Sequence, residues 1–317
     1  MRIVFMGTAD FGVPTLRILN DRHEIAAVIT RPGKPKGRGR KIMPSPVKVA
    51  AGELGIEVLE PERLSDPAFI AALEAYDADL FYVVAFRILP REVFTMPRSG
   101  TVNLHASLLP DYRGAAPVNW AVINGDTVTG LTTFFIDDNI DTGDILLQAD
   151  TSIGPDETAG ELYDRLKVMG ADISLDTVDM IDRGEAVPRK QPPGKKRPAP
   201  KLCKENGRID WTRDAASVHN HVRGMNPVPG AFTDRESGPL KIHRTSIADT
   251  SETAPPGTIL HVSPREGFIV ACGTGSLNVL EVQPPGKKPM DGASFVRGYG
   301  IEPGVPIGKK PGDGNER

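Results

Sequence analysis

The sequence predicts an open α/β domain built on a parallel sheet, followed by a smaller all-β domain, and three observations carry that prediction. Asp79 to Ala85 reads as a strand whose apolar residues are unbroken from Leu80, the mark of a central parallel strand covered on both faces. Arg2 to Met6, Gly7 to Phe11 and Val13 to Leu19 read as strand, turn and helix, which open a βαβ unit. Beyond Lys204, short β-prone runs alternate with Gly and Pro turns, as in a small barrel. A chain of 317 residues, 39% hydrophobic, is long enough for two such domains.

Taken in order, Glu24 to Thr30 is the second strand, Arg31 to Pro46 a basic loop, Val47 to Leu54 a helix and Ile56 to Leu59 a short strand. Ser65 to Tyr76 follows as a helix, with Asp66 and Pro67 where an N-cap region favours them. Thr101 and Val102 read as the next buried strand, Ala115 to Asn124 has helical spacing, and Gly130 to Ile136 and Ile145 to Gln148 read as strands. Leu162, Leu166, Met169 and Ile173, spaced by three or four, put one apolar face on a long helix from Thr158 to Arg183. Residues 1–184 then form the first domain. Residues 185–205, dominated by Pro, Gly, Lys and Arg, form an extended linker, because that composition builds no core. Residues 206–307 form the second domain, with a helix from Ala215 to Arg223 ahead of five short strands, and 308–317 a disordered polar tail.

Composition excludes several classes. No run approaches the roughly 18 apolar residues of a membrane span, and the apolar start ends at Gly7 without the core or cleavage site of a signal peptide. With Cys203 and Cys272 as the two cysteines, a disulfide framework and a cysteine metal site are both disfavoured, as in a reducing cytoplasm. His219 and His221 lie on different sides of a helix, so no metal is expected there. Gly7 and Gly12 do not fit the G-x-G-x-x-G spacing of a dinucleotide site, and no Gly-x-Ser-x-Gly elbow surrounds Ser107. The net charge of −3 conceals two acid-free basic segments. Arg31, Lys34, Lys36, Arg38, Arg40 and Lys41 make the first; Arg189, Lys190, Lys195, Lys196, Arg197, Lys201 and Lys204 make the second. Solvated loops explain one such run, and two in an acidic chain point towards a polyanion.

Asn103 and His105 leave the end of a predicted strand two residues apart, hence on one face, where open α/β folds place chemistry. With Asp141 they form an amide, an imidazole and a carboxylate suited to acyl or formyl transfer, which passes through a tetrahedral oxyanion. A donor such as the Asn103 amide aimed at that charge is worth roughly 3 kcal/mol of barrier. His105 would act as a second donor or proton shuttle, and a carboxylate at Asp141 would fix its tautomer and favour its charged form. Position alone leaves other roles open: a hydrogen-bonded structural histidine, an Asx turn at Asp141, a cap at Asn103.

Asn103-Leu104-His105, SLLPDYRGAAP from Ser107 to Pro117, Gly125, Gly130-Leu131-Thr132-Thr133 and Asp141-Thr142-Gly143-Asp144 together resemble the signature of formyltransferases that use 10-formyltetrahydrofolate. FMGTADF near the start, GRGRKIMPSPVK from Gly37 to Lys48, KENGRIDW from Lys204 to Trp211, Asn226-Pro227 and Pro229-Gly230-Ala231-Phe232 extend the likeness over nearly the whole chain. The resemblance implies a Rossmann-like catalytic domain and an oligonucleotide-binding-like barrel. It implies Asn103, His105 and Asp141 as the catalytic trio, Ser107, Leu108, Leu109 and Pro110 as part of the folate site, and 10-formyltetrahydrofolate as a co-substrate with no metal. Its implied partner is initiator methionyl-tRNA, with no stable protein partner. Arg38 matches the basic residue of a loop the family inserts near the tRNA acceptor end, and Arg40, Lys41, Lys195, Lys196 and Arg197 are expected on phosphates. The segment Ala85 to Pro90 departs from the pattern, being one residue shorter and carrying Arg87. The rival reading is a folate-dependent sugar-nucleotide N-formyltransferase, which leaves the basic loop, the linker and the second domain without a task. A purine-pathway formyltransferase would lack the second domain, and a catalytically inert RNA-binding protein would have no use for the trio.

Overall fold

The computed structural model describes residues 1–36, 41–193 and 197–308, the side chains of 34–36 and 41–42 aside. The chain divides into two compact units. The first comprises Met1–Gly114, Thr129–Thr151 and Tyr163–Ala199; the second comprises Ala115–Val128, Ser152–Leu162 and the chain from Pro200 onward. The units are thus interleaved, where the sequence suggested a single cut and a linker.

In the first unit β1 (Arg2–Gly7), α1 (Gly12–Arg22) and β2 (Glu24–Ile29) are followed by a hairpin, β3 (Lys34–Lys36) with β4 (Lys41–Met43), inside the stretch expected as loop. Then come α2 (Pro46–Glu53), β5 (Val58–Leu59), α3 (Pro67–Glu74), β6 (Leu80–Val84), the short α4 (Arg91–Phe94), β7 (Thr101–His105) and β8 (Arg113–Gly114). Capping fixes two of these helices where the sequence allows it. Ser45 Oγ accepts the Lys48 N–H at 3.0 Å and Asp66 Oδ1 accepts the Ala68 N–H at 2.9 Å, each ahead of a first-turn proline. After α5 (Pro117–Ile123), the strands β9 (Val128–Phe135) and β10 (Ile145–Ser152) complete the sheet, and the long α6 (Ala159–Asp182) follows.

The seven strands run β10-β9-β7-β6-β1-β2-β5. From β5 to β7 they are parallel, and all five residues of β6 are buried, as its unbroken apolar run requires. The parallel reading stops at β7. β9 is antiparallel to it, with His105 opposite Thr132 and Val102 opposite Phe135, because the chain leaves and re-enters the sheet at the same end.

The expected linker is partly structured. Arg189 exchanges both backbone hydrogen bonds with Ile145, at 2.7 and 2.8 Å, and β11 (Pro198–Ala199) pairs in parallel with β8. A segment without core-forming side chains satisfies its backbone groups on available strand edges instead.

In the second unit α7 (Ala215–Met225) starts at Asp214, whose carboxylate accepts the Ser217 N–H at 2.8 Å. β12 (Ala231–Thr233), β13 (Leu240–Ala248), β14 (Ile259–Ser263), β15 (Gly267–Ala271), β16 (Ser276–Gln283) and β17 (Met290–Asp291) precede α8 (Gly292–Tyr299). The predicted short strands form an antiparallel sheet in the order β12-β13-β16-β15-β14, with β17 on β16. β12 and β14 are its ends, unpaired with each other among the described residues. Its core takes in Ile123 of α5, and the Asn119 amide donates to the Gly224 carbonyl of α7 at 2.8 Å. α5 therefore belongs with this sheet and not with the strands that flank it in sequence.

Candidate active site

The pleat of β7 sets Asn103 and His105 on one face, and the pairing of Asn103 with Val83 and Phe134 holds the strand from both sides. His105 is buried, and its Nε2 lies 2.8 Å from the Tyr112 carbonyl, which can only accept. The ring proton of neutral His105 is therefore on Nε2, and Nδ1 carries the lone pair. Nδ1 faces Asp141 Oδ2 at 3.7 Å, too far for a hydrogen bond and close enough for strong Coulombic attraction once the ring is charged. The sequence reading had Asp141 fix the tautomer; the Tyr112 carbonyl does so instead. Asn103 is half-buried, and its amide has no hydrogen-bond partner among the described residues.

Asp141 sits in the left-handed region at φ 53°, which costs a non-glycine residue about 1–3 kcal/mol and persists only where the surroundings over-determine it. Three contacts do so. Its Oδ2 accepts the Gly114 N–H at 2.8 Å, and its carbonyl and that of Gly143 each accept from Gln191 Nε2 at 2.9 Å. Gly143 is required by space: a Cβ there would stand 1.6 Å from the Phe135 carbonyl oxygen. Gln191 was missed by sequence reasoning, since glutamine in a Pro-rich segment gives no pattern.

The side chains of Ser107 and Leu109 are turned inward, so what this stretch can offer a ligand is its backbone and the half-buried Leu108 and Pro110. The Ser107 hydroxyl, fully buried, donates to the Asp111 carbonyl at 2.6 Å, and Leu109 packs with Phe134 and Ile145. Their backbone is pinned by Thr132, which donates to the Ser107 carbonyl at 2.6 Å, and by Gln148, which donates to the Leu109 carbonyl at 3.0 Å. The departure at Arg87 has a local cause: its guanidinium donates to the carbonyls of Pro61 and Glu62 at 2.9 and 3.0 Å and lies over the Phe86 ring. Burial lowers its pKa from the ordinary arginine value. On the same segment Ile88 is 77% exposed, and Ile140, beside Asp141, is 57% exposed. Arg91 and Asp138 pair between α4 and the Asp141 loop.

Arg197, expected on phosphate, binds Asp111 Oδ2 at 2.9 Å and stacks over the Tyr112 ring at 4.4 Å, bracing the residue whose carbonyl holds His105. Arg38, Arg40, Lys195 and Lys196 lie outside the described residues, and Lys41 is described only as part of β4. A cavity of about 760 Å³ opens at the carboxyl end of β1, bounded by Thr8, Asp10, Arg31, Met43, Val49 and Lys167. It does not touch the trio. Among the described residues, Thr8 Oγ1 and Arg31 Nε are buried without a hydrogen-bond partner. Among the described residues no group of three or more His, Cys, Asp or Glu could hold a metal ion, and no helix is long and apolar enough to cross a membrane.

The class defined by this fold and site is that of the formyl transferases. Residues 1–178 match the formyl transferase family, and residues 201–300 match the formyl transferase C-terminal domain. The chain is 47% identical over 312 residues to methionyl-tRNA formyltransferase of Citrifermentans bemidjiense, covering 98% of this chain and 97% of that one. It is 46% identical over 311 residues to the enzyme of that name from Geobacter sulfurreducens, covering 98% and 97%. The chain belongs to the methionyl-tRNA formyltransferase family, whose members transfer a formyl group. Among solved structures, the sugar 3N-formyl transferase WlaRD, determined in the presence of dTDP and 5-N-formyl-THF, shares the fold with a TM-score of 0.67 at 18% identity, covering 91% of this chain and 99% of that one.

Proposed function

We propose that the chain transfers the formyl group of 10-formyltetrahydrofolate to the α-amine of methionine esterified to initiator tRNA, in the cytoplasm. The observation that carries this reading is the face of β7, where an unpartnered amide adjoins an imidazole with a free lone pair and a carboxylate opposite that lone pair. The folate donor supplies an activated formyl carbon. Asn103 donates to the oxyanion that forms when the amine adds to it. His105 takes at Nδ1 the proton that the amine loses, and Asp141 stabilises the resulting imidazolium. The proton then goes to the departing nitrogen of tetrahydrofolate as the carbon–nitrogen bond breaks.

The residues present fit the folate group: the exposed Ile88 and Ile140 offer apolar surface, Ile140 next to Asp141 in the chain, and the stretch from Ser107 to Pro110 directly follows His105. The cavity at β1 supports a place for the aminoacyl end of the acceptor. It falls within the roughly 300–1,000 Å³ of ligand clefts, and one strand, β6, separates β1 from β7, a span of about 10 Å. Arg38, Arg40 and Lys41, with Lys195 and Lys196, are proposed as the phosphate contacts, giving affinity that falls steeply with salt.

His105→Ala tests the chemistry: single-turnover formyl transfer should fall by at least about a hundredfold, and an undiminished rate removes His105 from the mechanism. Offering 10-formyltetrahydrofolate with charged initiator tRNA, charged elongator methionine tRNA and a sugar-nucleotide amine tests the acceptor. Formylation of the sugar alone would overturn the assignment.

A further inference from the structure

Gln191 stands outside the trio, yet it holds the loop that carries Asp141. Its Nε2 donates to the Asp141 and Gly143 carbonyls, both at 2.9 Å, while its Oε1 accepts from Arg113 Nη2. One side chain therefore joins both ends of the Asp141-Thr142-Gly143 turn to the strand β8, whose Gly114 N–H holds the Asp141 carboxylate at 2.8 Å. Gln191 is itself held on either side, by the Arg189–Ile145 backbone pair before it and the β11–β8 pair after it. Asp141 keeps a left-handed backbone, uncommon outside glycine, so removing these donors lets the turn relax towards commoner conformations. The carboxylate would then leave its place opposite His105 Nδ1.

We propose that Gln191 is a positioning residue for formyl transfer, acting through Asp141. The proposal rests on the reading in which Asp141 stabilises charge on His105. Its chemistry is specific to a side-chain amide. Alanine offers no donor. Glutamate keeps an acceptor for Arg113 but sets a carboxylate against two carbonyls.

The test uses the full chain carrying Gln191→Ala, Gln191→Glu, Asp141→Asn, and Gln191→Ala combined with Asp141→Asn. Single-turnover transfer with charged initiator tRNA and 10-formyltetrahydrofolate is measured beside the thermal midpoint. Gln191→Ala should lower the rate constant about ten- to a hundredfold, since misplacement by an ångström costs on that order, while KM for either substrate stays within about twofold. In the Asp141→Asn background, Gln191→Ala should add no more than about twofold, because the group it positions no longer carries charge. Gln191→Glu should fall like Gln191→Ala, and it gives the answer if the alanine variant does not fold. Independent, multiplying losses in the double variant would overturn the proposal, as would full activity of both Gln191 variants beside an impaired Asp141→Asn. Full activity of Asp141→Asn would instead overturn the reading of Asp141 on which the proposal stands.

Discussion

Replacing Asp141 by asparagine separates charge from shape at the site. An amide oxygen can still accept the Gly114 N–H, so the 2.8 Å anchor survives while the negative charge 3.7 Å from His105 Nδ1 is lost. The two side chains are 7% and 15% exposed, so solvent and salt screen the pair weakly. At this separation two unit charges attract by about 1 kcal/mol at the dielectric of water and about 4 kcal/mol at an effective dielectric near 20. In the proposed mechanism His105 is positively charged only while the ring holds the amine proton, so the loss falls on the transition state and not on substrate binding. Asp141→Asn should therefore slow transfer by about fivefold to about a thousandfold, with the affinities for tRNA and folate unchanged. Rapid-quench single turnover at saturating concentrations of both substrates measures the rate, and direct titration measures the affinities. A full rate, or a loss confined to affinity, would refute the electrostatic argument.

Gly143→Ala must push the Asp141 turn away from the Phe135 carbonyl, and it should cost about 1–3 kcal/mol in urea unfolding together with a loss of transfer; a variant as stable as the parent contradicts the 1.6 Å approach. Asp79 accepts the Arg2 backbone N–H at 2.7 Å and pairs with Arg98, which together hold its carboxyl below the usual range. A depressed folded-state pKa contributes stability that is present above the unfolded value of about 3.9 and lost as pH falls through the folded value. Asp79→Asn should accordingly destabilise by about 1–2 kcal/mol at pH 7, and the gap to the parent should close on acidification below the carboxylate range; an equal gap in acid would count against it. Of the two thiols, Cys203 is exposed whereas burial pushes Cys272 up to about 12. A colorimetric thiol titration of the native protein at pH 8 should therefore find one fast-reacting group, and two would contradict the burial of Cys272.

What the sequence made legible about the fold follows from how local each signal is. The apolar run of β6 is visible because both of its faces are covered, and the Asp66-Pro67 start of α3 because a cap acts within one turn. Strand direction leaves no such trace. Val128–Phe135 has the composition of a buried strand whichever way it runs, and only the path through residues 106–127 makes it antiparallel to β7. β8 and β11 are two residues each and pair across more than eighty positions, so neither carries a periodicity to read. α5 was visible as a helix, but its allegiance was not, since Ile123 is apolar whichever unit it completes. α8 was missed, although Asp291 three residues ahead of Ser294 is a usable capping signal.

The candidate site divides along the same line. Asn103, His105 and Asp141 could be singled out because their functional groups suit a tetrahedral oxyanion, but their division of labour depends on atoms that no motif names. The Tyr112 carbonyl fixes the proton on Nε2 of His105, so the lone pair that can receive a proton is at Nδ1, and the group facing it is Asp141. Asp141 consequently has no tautomer left to choose, and its effect on the ring is that of a charge at a distance. A charge acts through its position, and the position of Asp141 rests on a left-handed backbone that its neighbours hold in place. The proposed electrostatics at β7 would thereby depend on Gln191, fifty residues downstream in a stretch whose composition suggested only a tether. Arg197 does the same for the other partner of the ring, since its contact with Asp111 and its stacking on Tyr112 fix the segment that presents the Tyr112 carbonyl. On the proposed mechanism, then, Gln191 and Arg197 each govern one edge of the His105 imidazole, the first through Asp141 and the second through Tyr112.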